Sequence, residues 1–136
     1  MVKFKKSNPR EEMFPTNQRT KKNIITGDCV IRAIVHATGQ DYEEVWKSLL
    51  DISKETLFLP NQEETFELYL QSLGWVKKKP LRKPNGKTYE VRKFPAKPRG
   101  KYIIKTRSHL TAIVDGTHLD SWNCGPWRAN SYYEKS

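Results

Sequence analysis

Side chains able to form and break covalent bonds are scarce in this chain of 136 residues: two cysteines, Cys29 and Cys124, and three histidines, His36, His109 and His118. Cys29 follows Thr26-Gly27-Asp28, a turn ending in a residue suited to cap a helix, and precedes the apolar run Val30-Ile31-Arg32-Ala33-Ile34-Val35-His36-Ala37. Its sulfur is therefore expected at a helix N-terminus. Unpaired backbone N–H groups and the positive end of the helix dipole favour an anion there, which lowers the thiol pKa and supplies a nucleophilic thiolate near neutral pH. His109 opens the strand-like run Leu110-Thr111-Ala112-Ile113-Val114, far from Cys29 in sequence, as partners brought together by folding usually are. Together they point to acyl transfer through a thiolate.

The turn after that run decides what lies beside the imidazole. Asp115-Gly116 predicts a two-residue hairpin loop, which pairs Val114 with Thr117, Ala112 with Leu119, Thr111 with Asp120 and His109 with Trp122. Leu110, Ala112, Val114 and Leu119 then share the core face, and His109, Thr111, Asp120 and Trp122 share the other. Asp120 is diagonal to His109, where a carboxylate can fix the imidazole tautomer and stabilise the imidazolium. A slip of one residue would turn Asp120 away and bring Asn123 opposite His109, so Asn123 is the alternative third member.

The elements needed to position these groups follow from punctuation and periodicity. Residues 1–22, with Pro9, Pro15 and scattered Lys and Arg, read as a basic arm, and residues 23–136 as one domain. The Cys29 helix closes at Gly39. Asp41 and Glu44 form a capping-box-like pair opening a second helix, with Val45, Trp46, Leu49, Leu50 and Ile52 on its apolar side. A third runs from near Gln62 to Leu73, with Phe66, Leu70 and Leu73 on one face and Leu68 and Tyr69 beside it, ending at Gly74. After Trp75 the prolines and the Asn85-Gly86 turn exclude helices, Tyr102-Ile103-Ile104 reads as a strand, and the tail from Asn123 reads as irregular. Helices first and an antiparallel sheet second make an α+β pattern.

The net charge is +10, but it is unevenly spread: +5 over residues 1–22, −6 over 23–75, +12 over 76–107 and −1 over 108–136. The +12 segment nominates Lys77, Lys78, Lys79, Arg82, Lys83, Lys87, Arg92 and Lys93 as contacts for nucleic acid or an acidic protein, with Tyr89, Phe94 and Tyr102 interleaved as stacking groups. No run of about 18 apolar residues exists and the N-terminus is not signal-like, so a cytoplasmic protein with free thiols and no membrane partner is expected.

Other constellations are weaker. Cys124-Gly125-Pro126-Trp127 lacks the second thiol of a redox turn, and the cysteines and histidines are not paired at structural zinc spacings, so no metal or cofactor is expected. His36 lies two turns beyond Cys29 and reads as a packed or surface histidine. No glycine-rich phosphate loop is present.

The combination resembles the papain-like cysteine peptidases, in a short form similar to the C39-like and bacteriophage-encoded members. The resemblance rests on Gly27-Asp28-Cys29 at a helix start, on His109 opening a strand, and on Asp120-Ser121-Trp122 as a polar residue followed by Ser-Trp. It spans about residues 23–123. It implies a nucleophile helix packed on the C-terminal antiparallel sheet, a Cys29-His109-Asp120 triad acting on a peptide or protein substrate, and Asn23 as the oxyanion-hole side chain. The family usually has Gln at that position, and more familiarly Asn where Asp120 stands. The other reading is a non-catalytic binding protein on the same scaffold, holding nucleic acid or an acidic protein through the basic segment.

Overall fold

The computed structural model describes residues 1–9 and 28–135. Strand β1 (Lys3–Lys6) is followed by helices α1 (Cys29–Thr38), α2 (Tyr42–Thr56) and α3 (Glu63–Ser72), then by β2 (Trp75–Lys78), β3 (Lys101–Lys105), β4 (Leu110–Val114), β5 (Thr117–Asp120) and β6 (Ser131–Lys135).

Local chemistry sets most helix ends where the sequence puts them. Gly39, at φ 73°, closes α1 in the left-handed conformation that glycine adopts without a side-chain clash. The Asp41 carboxylate accepts the N–H groups of Glu43 and Glu44 and so caps α2. Asp28 departs from the expected capping role. Its carboxylate makes no cap hydrogen bond and instead pairs with Arg32 one turn on, while the Tyr42 hydroxyl donates to its other oxygen at 3.0 Å. Arg32 is buried, and a buried guanidinium needs a counter-charge more than this helix end needs a cap. Trp46, expected on the apolar side of α2, and Leu68, expected beside that of α3, are 47% and 46% exposed, because Tyr42, Val45 and Leu49 in α2, and Phe66, Tyr69 and Leu70 in α3, carry the burial.

The sheet has six strands in the order β1-β5-β4-β3-β6-β2. Asp115 (φ 51°) and Gly116 (φ 79°) make the tight turn between β4 and β5, and the register pairs Ala112 with Leu119, Ile113 with His118 and Val114 with Thr117, as the turn predicts. One face packs on the helices: Val30, Ala33, Ile34 and Ala37 of α1 meet Ile103, Leu110 and Ala112, joined by Val45, Leu49, Phe66 and Leu70. Ile104, Ile113 and Tyr132 on the other face are covered by Val91, Phe94 and Ala129 from the connections around β3 and β6.

Three expectations are corrected. The sheet is mixed, because β1 pairs in parallel with β5. Residues 3–6, assigned by composition to a basic arm, are an edge strand, and their lysines are exposed, as charged side chains on a sheet edge commonly are. The tail is not irregular throughout, since β6 lies between β3 and β2 with Tyr132 and Tyr133 both buried. A strand covered on both faces loses the polar–apolar alternation by which strands are recognised. Among the described residues no helix is long and apolar enough to cross a membrane.

Candidate active site

Cys29 is the first residue of α1, and α1 lies against β4, so the helix start and the strand start meet. The part-buried thiol lies near the His109 ring and the backbone N–H of Leu110, close enough for both to stabilise its charged form. His109 sits just before β4 in a turn fixed by Thr106: the Thr106 hydroxyl accepts the His109 N–H at 3.1 Å and donates to the His109 carbonyl at 3.0 Å.

Behind the imidazole, His109 Nε2 lies 2.7 Å from Asp120 Oδ2. The carboxylate only accepts, so Nε2 carries the proton of this bond and Nδ1 remains for the sulfur. Asp120 is 2% exposed yet well supplied with donors. Thr111 Oγ1 donates to Oδ2 at 2.6 Å, the Ser121 N–H donates to Oδ1 at 2.6 Å, and an Arg32 guanidinium nitrogen stands 3.4 Å from Oδ1. Because the Thr111 proton goes to Asp120, Thr111 accepts from His118 Nε2, 2.8 Å away. A hydrogen-bonded chain therefore runs from His118 through Thr111 to Asp120 and His109. The Trp122 and Trp127 rings lie 4.8 and 6.4 Å from the His109 ring and 5.3 Å from each other, walling the imidazole side.

These neighbours set the charges. Burial pushes the Cys29 thiol up, but the His109 hydrogen bond, the Leu110 N–H and the positive charges of His109 and Arg32 outweigh it, and the thiol ends below its ordinary value of 9.0. Burial pulls His109 down, but hydrogen bonds to Asp120, Cys124 and Cys29 and the Asp120 charge raise it to about 11. Burial raises Asp120, while its bonds to His109 and Thr111 hold it at about 2. Burial keeps His118 below 6.5 and hence neutral. The shifts of Cys29 and His109 both run towards a thiolate–imidazolium pair, with a carboxylate behind the ring.

Of the residues singled out from sequence, Cys29, His109 and Asp120 come together, and Asn23 and Gly27 lie outside the described residues. Asn123 does not take the third position, because its side-chain oxygen accepts the Gly125 N–H at 2.9 Å. His36 bonds Ser7 Oγ at 3.0 Å, packed as expected. The two cysteines are free. Thr106, Arg32, His118 and Cys124 were not foreseen in this site. Cys124 is fully buried, with its sulfur 3.4 Å from His118 Nε2 and 3.9 Å from Asp120 Oδ2. His118 and Asp120, two apart on one strand, carried the available signal for part of the cluster. Donor atoms of His109, Asp120 and Cys124 lie within 4.8 Å of one another, close enough for a metal ion, although Asp120 is already the acceptor of the bonds just described.

Several of the nominated basic residues are engaged within the chain. Lys77 is paired with Glu63 at 2.6 Å, Arg92 with Glu90 at 2.8 Å, Arg82 donates to the Gly86 carbonyl, and Lys83 lies 5.9 Å from the centre of the Tyr89 ring. Lys87 and Lys93 are exposed, and Lys78 and Lys79 join Lys77 along a groove of 540 Å³. Phe94 and Tyr102, expected as stacking groups, are buried edge-to-face with Tyr132 in the core. Alternation of aromatic and basic residues there reflects a covered sheet face. No family model, curated protein or solved structure matches the chain.

Proposed function

We propose that the protein is a cysteine-dependent acyl-transfer enzyme of the papain-like kind, hydrolysing an amide or peptide bond with Cys29 as nucleophile, His109 as acid and base, and Asp120 as the group that orients His109. The place of Cys29 at the start of α1, beside an imidazole whose Nε2 is 2.7 Å from a buried carboxylate, carries this reading.

In the reaction, the Cys29 thiolate attacks the carbonyl carbon, forming a C–S bond as the carbonyl π electrons move to oxygen. The backbone N–H of Cys29 suits that oxyanion. It lies among the first N–H groups of α1, which have no intrahelical acceptor, and Asp28 leaves this end without a side-chain cap. Collapse of the tetrahedral species breaks the C–N bond while the His109 imidazolium protonates the leaving nitrogen. Neutral His109 then takes a proton from water, the hydroxide oxygen attacks the thioester, and the acid leaves with Cys29 restored as thiolate and His109 as imidazolium. Asp120 stays ionised throughout, holding the tautomer that presents Nδ1 to sulfur.

Iodoacetamide labelling at about pH 6, located by mass spectrometry, tests the pair, because only a depressed thiol reacts quickly there. Cys29 is expected to label rapidly and His109→Ala to slow it by about tenfold or more. Sluggish labelling that His109→Ala leaves unchanged would instead favour a binding protein on this scaffold.

A further inference from the structure

Resting on that reading, we propose that the substrate is an acidic polypeptide segment, bound along a basic trough that runs from the His109 side of the site to Lys78 and Lys79. Two hollows of 450 and 540 Å³ share the wall formed by Thr106, Arg107 and Asn130. The first is bounded by Ser108, the residue before His109, and by Trp127, whose ring faces the imidazole. The second continues between Lys77–Lys79 and Lys105. The two hollows adjoin through Thr106, Arg107 and Asn130, and the first reaches the turn that carries His109.

The charge along the trough is of one sign. Among the described residues no aspartate or glutamate lines either hollow. Glu63, on α3, neutralises part of it, with one oxygen 2.6 Å from Lys77 and the other 2.6 Å from Lys105. Lys78, Lys79 and Arg107 are exposed and form no ion pair among the described residues, so carboxylates of a bound chain would be their counter-charges. Nucleic acid fits less well. Among the described residues the lysine-lined hollow has no aromatic wall on which bases could stack, since Phe94 and Tyr102 are packed in the core, and the exposed Trp127 stands only at the far hollow, beside the imidazole. A thiol that attacks carbonyl carbon also requires an acyl substrate at the end of the trough. The groups Thr106 and Arg107 contribute come from the same turn that holds His109, which couples substrate docking to the catalytic geometry.

Three short peptide chloromethyl ketones of equal length, bearing Glu, Gln or Lys at the positions flanking the reactive residue, test this on the full chain. The Cys29 thiolate displaces chloride, forming a C–S bond as the C–Cl bond breaks, and the rate is read from intact mass. With a few exposed charge pairs acting together, the Glu reagent should react about tenfold faster than the Gln reagent, and the Lys reagent more slowly than either. The Glu-to-Gln ratio should fall towards one in high salt. It should fall likewise in Lys78→Glu and in Arg107→Glu. The salt series uses the unaltered chain, so the proposal stays testable if a variant fails to fold. Equal rates for the Glu and Gln reagents, in a protein whose iodoacetamide labelling still depends on His109, would overturn the acidic substrate and leave the enzyme reading standing. Equal rates together with salt-sensitive binding of a single-stranded oligonucleotide, lost in Lys78→Glu, would assign the trough to nucleic acid and equally overturn it.

Discussion

At the scale of single residues, the arrangement depends on Asp120 remaining charged although almost no water reaches it. A buried carboxylate ordinarily takes up a proton, and four donors prevent this: His109, Thr111, the Ser121 N–H and Arg32. Its charge in turn keeps the proton on His109. Asp120→Asn preserves the size of the side chain and removes that charge. The His109 imidazole, followed by NMR titration, should then lose its proton at a pH lower by roughly two units, within the range expected for one adjacent opposite charge. An unchanged titration would mean that the carboxylate does not govern the ring. Cys29, His109 and Asp120 were legible because each belongs to a local pattern, a helix start or a hairpin register. Thr106 and Cys124 were not, since one acts through a turn with no sequence period and the other arrives from an irregular connection after β5. Thr111 was foreseen on the correct face of the hairpin, but the bond from His118 that makes it a relay depends on three-dimensional packing.

At the scale of elements, α1 and the β4–β5 hairpin are the working parts, and their sequence signals are strong: a glycine stop at Gly39 and the Asp115-Gly116 turn with its period of two. β1 and β6 lacked such signals. Lysines dominate β1, and β6 is covered on both faces, so main-chain pairing decides both. Just beyond β1, Ser7 bonds His36 of α1 at 3.0 Å, joining the edge of the sheet to the nucleophile helix. Burial pushes His36 from 6.5 down to about 4, so the folded protein holds this ring neutral where the unfolded chain would protonate it. The fold consequently binds fewer protons than the unfolded chain between those values, and stability falls as pH is lowered from 6.5 towards 4. His118, also held neutral by burial, adds to the same loss. Melting temperatures measured across this interval should decline, and His36→Gln, which cannot titrate, should lessen the decline. An identical slope in the variant would show that His36 does not contribute.

At the scale of the whole molecule, the Cys29 helix packed on the sheet was an expectation of the family resemblance alone, whereas an α+β architecture could be read from the order of helical and strand-like segments. The parallel β1–β5 pair and the internal position of β6 could not, because both join distant ends of the chain through backbone hydrogen bonds that carry no side-chain signature. The net charge of +10 was visible as a total, yet its meaning depended on folding: α3 brings Glu63 to Lys77 and Lys105, leaving Lys78, Lys79 and Arg107 as exposed positive groups of the trough with no ion pair among the described residues. The same folding brings a thiol and an imidazole, eighty positions apart, close enough for the ring to lower the thiol's pKa. Ultraviolet titration of the thiolate, taken as the difference between the protein and Cys29→Ala, tests that coupling most directly. The account predicts half-titration below the ordinary 9.0 and an upward move in His109→Ala. Half-titration at or above 9.0, unmoved by that substitution, would contradict it.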